Sequence, residues 1–280
     1  MDRLEYKYLV SNEQLTELRR AVSPFVEVDK YARNERREYT VHSIYFDTPA
    51  LDYYHQKMAG IQYRKKIRIR GYNDQQANSP VFLEIKRKEN MAISKNRAPV
   101  LFKDANALLE TGDTPRYVMN HNGFASAAED ARRFLYHVYR YSLHPVALIS
   151  YEREAFFYRF DDSVRITFDK NLRSVAWPGI EDLFNGKHST PSLGGHFVLE
   201  IKFHKGMPSW IKTILNDLDL ERTAVSKYTI CLDTQGIPRQ PFRRPAPGEF
   251  SNGPATAYRD LTPPSLSQNR FQDPIMVSHV

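Results

Sequence analysis

The segment YRKKIRIRGY, residues 63–72, mixes basic side chains with isoleucine and tyrosine. Successive side chains of a β-strand point to opposite faces. One face of the predicted strand then carries four cations, Arg64, Lys66, Arg68 and Arg70. The opposite face carries Ile67 and Ile69, which need cover from another layer. A strand with four cations along one side requires compensating negative charge from the protein or from a ligand.

Other predicted strands also have one charged face and one apolar face. VFLEIKRK (81–88) and HFVLEIKFH (196–204) both contain the tetrapeptide LEIK, whose Glu and Lys share one face while Leu and Ile share the other. Lys7 shares a face with a carboxylate in LEYKYLV, and Arg165 lies opposite the apolar residues of SVRITFD. For any one strand, a sheet with one wet side would explain this pattern. The preference for Arg and Lys over Thr, Ser and Gln favours a functional face instead.

Strands dominate the predicted secondary structure, and helices interrupt them. β-branched and aromatic residues predict strands at 3–10, 39–47, 63–72, 81–88, 146–160, 163–169 and 196–204. Capping-box patterns at Ser11 and Ser126 predict two helices, and Pro208 precedes a third. If these helices cover the apolar strand faces, the charged faces must point inward. The sequence therefore predicts an α+β fold, a closed antiparallel barrel with a charged lumen and helices packed on the outside.

Composition restricts the compartment and the class of enzyme. The 280 residues carry a net charge of +7 and one cysteine, Cys231, so no intramolecular disulfide can form and we expect a cytoplasmic protein. The sequence shows no signal peptide and no run near the ~20 apolar residues that span a bilayer. It also lacks P-loop, Rossmann and HExxH motifs. Residues 236–280 are rich in proline, so we predict a domain at 1–235 and a disordered tail after it.

A lumen lined with cations needs an anionic ligand. Two like unit charges 4 Å apart repel by about 4 kcal/mol at an effective dielectric constant of 20. Glu5, Glu84, Asp169 and Glu200 offset part of this repulsion, and a nucleoside triphosphate or a longer phosphate chain would offset more. Arginine suits such a ligand because its planar fork binds phosphate at two points. The carboxylates can bind Mg²⁺ or Mn²⁺, which also bridges phosphate oxygens.

Seven segments follow one another in a specific order: RLEYKYLV, TVHSIYFDTP, YRKKIRIRGY, VFLEIKRKENMAISKNRAP, YEREAFFYRFDDSVRITFD, FVLEIKF and AVSKY. Together they resemble the VTC domain, the polyphosphate polymerase module of the vacuolar transporter chaperone family. This domain belongs to the triphosphate tunnel metalloenzymes. The resemblance extends from about residue 3 to residue 235. It depends on the ordered set, because one piece such as LEIK is not specific.

The resemblance implies an eight-stranded tunnel barrel that transfers the γ-phosphate of ATP onto inorganic polyphosphate, with pyrophosphate or phosphate as further ligands. It implies catalytic roles for Lys227, Arg68, Arg70 and Arg165. It implies substrate binding by Lys7, Lys86, Lys95, Arg97 and Arg153. It implies that Glu200 binds Mn²⁺ or Mg²⁺, with Glu84 and Glu5 as further candidate ligands.

Two other functions stay open. A triphosphatase of the same fold would hydrolyse inorganic or nucleoside triphosphate, but such hydrolases typically begin with ExExK, and here Arg3 replaces the first acid. A non-catalytic module for polyphosphate or nucleic acid is the second alternative. The carboxylates among the cations would repel a nucleic-acid backbone, so no nucleic-acid partner is expected. We expect no membrane segment in this chain, so export of a product across a membrane would require another protein.

Overall fold

The computed structural model describes residues 4–32, 35–73, 78–89, 92–119, 125–161, 163–204 and 206–240. Its strands are β1 (Leu4–Ser11), β2 (Val26–Val28), β3 (Tyr39–Asp47), β4 (Arg64–Tyr72), β5 (Pro80–Glu89), β6 (Ala92–Leu101), β7 (His144–Tyr158), β8 (Val164–Ala176), β9 (Thr190–Pro191) and β10 (His196–Phe203). Its helices are α1 (Leu15–Val22), α2 (Asp52–Met58), α3 (Ala105–Thr111), α4 (Thr114–Tyr117), α5 (Ala127–Arg140), α6 (Ser209–Asp217) and α7 (Lys227–Thr234).

The described strands form one antiparallel sheet. Eight of them follow the path β1-β10-β8-β7-β3-β4-β5-β6, while β2 pairs with β7 and β9 with β8. Among the described residues no ladder joins β1 to β6, so the predicted closure into an eight-stranded barrel is not confirmed. The sheet nevertheless curls strongly, because the Lys86 Nζ of β5 lies 3.3 Å from the Glu5 Oε2 of β1. These two strands lie near opposite ends of the path, so the curled sheet has an inner and an outer face.

Helices cover the outer face, as the alternation of apolar residues predicts. Ile67 of β4 is fully buried in one cluster with Phe134 of α5. Ile201 of β10 is buried in a second cluster with Leu18 of α1 and Ile211 of α6. Burying one such side chain stabilises the fold by about 1.5–3 kcal/mol. The apolar side of the sheet is therefore the hydrophobic core, and the charged side faces the interior of the curl.

A buried carboxylate fixes α2 and α7 to the end of β3. Asp47 accepts hydrogen bonds from the backbone N–H groups of Thr48, Tyr53 and Tyr54, and from the hydroxyl of Tyr228. Burial raises the pKa of Asp47, although each of these donors opposes the shift. Because Tyr228 belongs to α7, these contacts hold the first turn of that helix against the sheet. The same turn carries Lys227.

The structure adds elements that the alternation does not predict. Strand β6 contains Pro99, and a proline in the sequence argues against a strand. Pro99 is tolerated because β6 is the last strand of the path. Strand β8 continues to Ala176, beyond the predicted end at 169. Residues Ile237–Arg239 form a short 3-10 helix in which Ile237 is fully buried, so packing continues past residue 235. Of the predicted tail at 236–280, residues 241–280 lie outside the described part of the chain.

Candidate functional site

Charged side chains from seven strands and α7 meet on the inner face, and we call them the central cluster. Its cations are Lys7, Lys66, Arg68, Arg70, Lys86, Lys95, Arg97, Arg153, Arg165, Lys202 and Lys227. Its carboxylates are Glu5, Glu84, Asp169, Glu200 and Asp29. Every residue to which the sequence assigns a binding or catalytic role lies in this cluster. The cluster contains two groups, one around Glu84 and one around Glu200, and Arg165 pairs with Asp29.

The Glu84 group places four cations around one buried carboxylate. The Glu84 side chain is 1% exposed, and its Oε2 lies 2.7 Å from the Arg68 Nη2. Its Oε1 lies 2.6 Å from the Lys95 Nζ and 3.2 Å from the Arg97 Nε. The Arg70 Nε is 3.9 Å from Oε2. Strands β4, β5 and β6 deliver these side chains because they are neighbours in register, with Arg68 opposite Glu84 and Glu84 opposite Arg97.

The Glu84 group carries an excess of positive charge. Burial alone would raise the pKa of Glu84, but Arg68, Arg70 and Lys95 outweigh burial and hold that pKa well below its usual range. Glu84 is therefore ionised at neutral pH and balances only one of its four partners. Arginine keeps further N–H donors free for a second anion in such a pair. This arrangement suits a ligand with several negatively charged oxygens.

The Glu200 group interleaves acids and bases more evenly. The Lys227 Nζ lies 2.5 Å from the Asp169 Oδ2 and 2.9 Å from the Glu200 Oε1. Arg153 binds Asp169 through two parallel hydrogen bonds of 2.5 and 2.7 Å, and its Nη2 is 3.7 Å from the Glu200 Oε2. The Lys7 Nζ is 3.4 Å from the Glu200 Oε1. Burial would lower the pKa of Lys227, but Asp169 and Glu200 raise it above its usual range, so it stays charged.

Glu5 of β1 contacts lysines of β1, β5 and β10. Its carboxylate lies 3.2 Å from Lys7, 3.3 Å from Lys86 and 3.7 Å from Lys202. Burial and the charge of Glu200 would raise the pKa of Glu5, but the three lysines lower it to about 2. Burial lowers the pKa of Lys202 to about 8, although both glutamates oppose that shift. Glu5 and Glu200 thus lie close enough to share Lys7 and Lys202.

The donor set determines which carboxylates fit a divalent metal ion. Within the described ranges, no three His, Cys, Asp or Glu side chains are grouped so that they could hold a metal by themselves. Mg²⁺ in phosphate sites commonly uses only one or two carboxylates and takes its other ligands from phosphate and water. Glu5 and Glu200 fit this requirement as a pair. Both oxygens of Glu84 contact cations, as do both oxygens of Glu5 and Glu200. A metal ion would therefore compete with lysine or arginine at each of the three, and their roles as metal ligands stay predictions.

Arg165 of β8 lies opposite Lys202 of β10 and pairs with a carboxylate outside the two groups. Its Nη2 lies 2.9 Å from the Asp29 Oδ2, and its guanidinium is 5.1 Å from the centre of the Phe157 ring. Its Nε is buried and has no hydrogen-bond partner in the part of the chain that the structure describes. Asp29 lies between β2 and a short 3-10 helix, Lys30–Ala32. No periodic pattern predicts this partner, because it comes from a loop.

Four further charged residues belong to the cluster although the sequence assigns them no binding or catalytic role: Lys66, Asp169, Lys202 and Asp29. Asp169 and Lys202 follow the alternation of β8 and β10 onto the inner face, as Arg165 and Glu200 do. Lys66 lies on the face of Arg68 and Arg70 by the same rule. The alternation of side chains along a strand does not identify the partner of each charge, because the partner depends on strand order.

The inner face of this curled antiparallel sheet gathers arginines, lysines and buried carboxylates, an arrangement that suits polyanionic ligands. The VTC domain matches residues 2–234, and the chain belongs to this family. It is 27% identical over 270 residues to vacuolar transporter chaperone complex subunit 4 of Trypanosoma brucei brucei, an alignment that covers 81% of this chain and 33% of that protein. The chain therefore spans about a third of the length of this relative.

Two solved structures are similar at low identity. One is a putative adenylyl cyclase from Hippeastrum described as having a dominant triphosphatase activity, with 16% identity, a TM-score of 0.45, and coverage of 83% of this chain and 96% of that one. The other is a putative adenylate cyclase from Bacillus halodurans, with 13% identity, a TM-score of 0.42, and coverage of 81% and 96%. Across the described part of the chain, none of the helices combines the length and apolarity needed to cross a membrane.

Proposed function

We propose that this protein is a polyphosphate polymerase that transfers the γ-phosphate of ATP onto the end of an inorganic polyphosphate chain. Membership of the VTC domain family supports this proposal at the level of the family. The observation that carries it for this chain is the excess of cations around Glu84, directed into the same enclosed face as the carboxylates around Glu200. A chain of linked phosphates needs such an array along its length, whereas a single phosphate would not.

The Glu84 group would bind the phosphates. Arg68, Arg70 and Arg97 present planar guanidinium groups on neighbouring strands, and Lys95 adds a point charge beside them. Two-point contacts from arginine fix the orientation of each phosphate as well as its position. Orientation matters because phosphoryl transfer proceeds with the attacking and leaving oxygens roughly in line.

The transfer itself requires no protein nucleophile. A terminal oxygen of the acceptor chain forms a bond to the γ-phosphorus of ATP, the bond from that phosphorus to the β–γ bridging oxygen breaks, and ADP leaves with the electron pair. Fixed positive groups stabilise the charge on the transferred phosphoryl oxygens. Lys227 and Arg153 lie beside Glu200 for this role, and Arg165 offers its buried Nε–H donor.

A divalent cation fits beside the phosphates. Glu200 and Glu5 would hold Mn²⁺ or Mg²⁺, which would neutralise part of the negative charge of the bound phosphates. Lys7 and Lys202 contact both carboxylates and would keep them oriented toward each other. Glu200 stays ionised because Lys227 and Lys7 hold its pKa well below the usual range in spite of burial.

The test is incubation of the purified protein with ATP and either Mn²⁺ or Mg²⁺. Long phosphate chains that stain on a gel and are destroyed by acid would support the polymerase. Release of orthophosphate without chains would identify a triphosphatase and contradict the proposal. Binding of polyphosphate with neither product would identify a non-catalytic module. Arg132→Ala, on the exposed surface of α5, serves as a control variant that should retain full activity.

A further inference from the structure

Lys66 differs from the other cations of the central cluster in its partners. Each of the other ten has a carboxylate oxygen within 4.0 Å. For Lys66 the described part of the chain supplies no such carboxylate, and the Nζ donates one hydrogen bond of 3.1 Å to the Ser226 Oγ. The same Nζ lies 5.7 Å from the centre of the Tyr228 ring. These neutral contacts leave most of the ammonium charge uncompensated.

The surroundings of Lys66 are otherwise cationic. Lys7 approaches from β1, Lys86 lies directly opposite on β5, Arg68 is two residues along the same strand, and Lys227 approaches from the first turn of α7. Ser226 and Tyr228 complete the contacts from α7. A half-buried amine among four cations does not stabilise the fold, because like charges at close range repel. The same amine can bind a ligand that brings its own negative charge.

We propose that Lys66 is a further substrate-binding residue, whose ammonium group pairs with the bound phosphate chain between the Glu84 and Glu200 groups. This inference rests on the proposed function, since it needs a polyanion on the inner face. Lys66 lies between the two groups because it is in register with Lys86, which contacts Glu5, and is two residues from Arg68, which contacts Glu84. A phosphate at this point would replace mutual repulsion among Lys66, Lys7 and Lys86 with attraction.

A lysine that pairs with bound phosphate should change its protonation when the ligand binds, whereas a purely structural lysine should not. Burial lowers the pKa of Lys66 well below its usual value, and the charges of Lys7, Lys86, Arg68 and Lys227 lower it further. A polyanion bound beside it favours the charged form and raises that pKa again. When the ligand binds, Lys66 should therefore take up a proton in the pH range between its pKa in the free protein and its pKa in the complex. The affinity for the polyanion should then fall with rising pH more steeply than it would if Lys66 did not lose its proton.

Calorimetry with inorganic tripolyphosphate tests this directly. Titrations with EDTA at several pH values above 7, in buffers of different ionisation enthalpy, give the number of protons bound per ligand. Wild type should take up more protons than Lys66→Arg, because arginine stays protonated throughout. Comparing the two proteins cancels the protons of the ligand itself. Lys66→Met should weaken binding about tenfold at pH 7, whereas Lys66→Arg should stay within about threefold of wild type.

A matched control is Lys65→Met, the neighbouring lysine on the opposite face of β4, which should leave both affinity and proton uptake unchanged. Equal proton uptake in wild type and Lys66→Arg would overturn the inference and assign the proton to another group such as Lys202. Wild-type affinity in a folded Lys66→Met would overturn it as well. If tripolyphosphate does not bind wild type at all, the proposed function fails, which is a separate result.

Discussion

The Glu84 and Glu200 groups are built from the same residue types but differ in the balance of their charges. Around Glu84, four cations share one carboxylate. Around Glu200, the three carboxylates of Glu200, Asp169 and Glu5 face five cations, so this group is the more evenly balanced of the two. If the proposed function is correct, the Glu84 group would hold phosphates and the Glu200 group would position the reacting groups. An unbalanced group needs a ligand, while a balanced group holds its side chains in place without one.

The largest expected effect is loss of activity in Arg68→Ala. Arg68 contacts Glu84 and donates a 2.8 Å hydrogen bond to the Tyr45 hydroxyl, so its guanidinium is fixed before substrate arrives. Removing such a preorganised donor typically lowers a rate by about 10²–10³-fold. Chain synthesis measured by gel and by ADP release should fall by that factor while the melting temperature changes little. Full activity in this variant would contradict the role of the Glu84 group.

The next effect concerns stability. Glu84→Gln keeps the shape of the side chain but leaves four cations without their shared anion, which should lower the free energy of unfolding by about 3 kcal/mol. Urea denaturation measures this change. Glu129→Gln is the matched control, because Glu129 forms only surface pairs with Arg132 and Arg133 on α5 and should cost less than about 1 kcal/mol.

The unbalanced group also predicts rescue by ligand. A ligand at 100 times its Kd stabilises a protein by about 2.7 kcal/mol. Tripolyphosphate should stabilise Glu84→Gln at least as strongly as wild type, because it supplies the negative charge that the variant lacks. Equal stability of Glu84→Gln and wild type without ligand would show that the four cations do not depend on this carboxylate.

The sequence predicts which side of each strand is charged, and the structure confirms it for β4, β5 and β10. The alternation of side chains is sufficient to predict the charged side, because it depends only on neighbouring residues of one strand. It does not reveal the partner of a charge, which depends on strand order and on loops. Asp29 pairs with Arg165 from a loop, and β5 places Lys86 opposite Lys66 where a carboxylate would have balanced its charge.

Glu200→Gln tests the balanced group. The substitution removes one negative charge that Lys227 and Lys7 share, and with it a candidate metal ligand. The concentration of Mn²⁺ that gives half-maximal activity should rise at least tenfold, in line with the usual cost of disturbing a metal site. Tripolyphosphate affinity measured in EDTA should change much less, because the Glu84 group is intact. An unchanged Mn²⁺ requirement would remove Glu200 from the metal site.

The smallest effect is a pH dependence of stability from Glu5. Its pKa in the folded protein is about 2, compared with an ordinary value of 4.5, because Lys7, Lys202 and Lys86 together outweigh burial. The unfolded chain therefore binds the proton first as the pH falls, so the stabilisation is complete above the ordinary value and is lost toward pH 2. Wild type should lose about 1–2 kcal/mol more than Glu5→Gln between pH 6 and pH 2 in urea titrations. Glu17→Gln, on the exposed face of α1, should follow wild type. Parallel curves for wild type and Glu5→Gln would show that the lysines near Glu5 do not stabilise its charge.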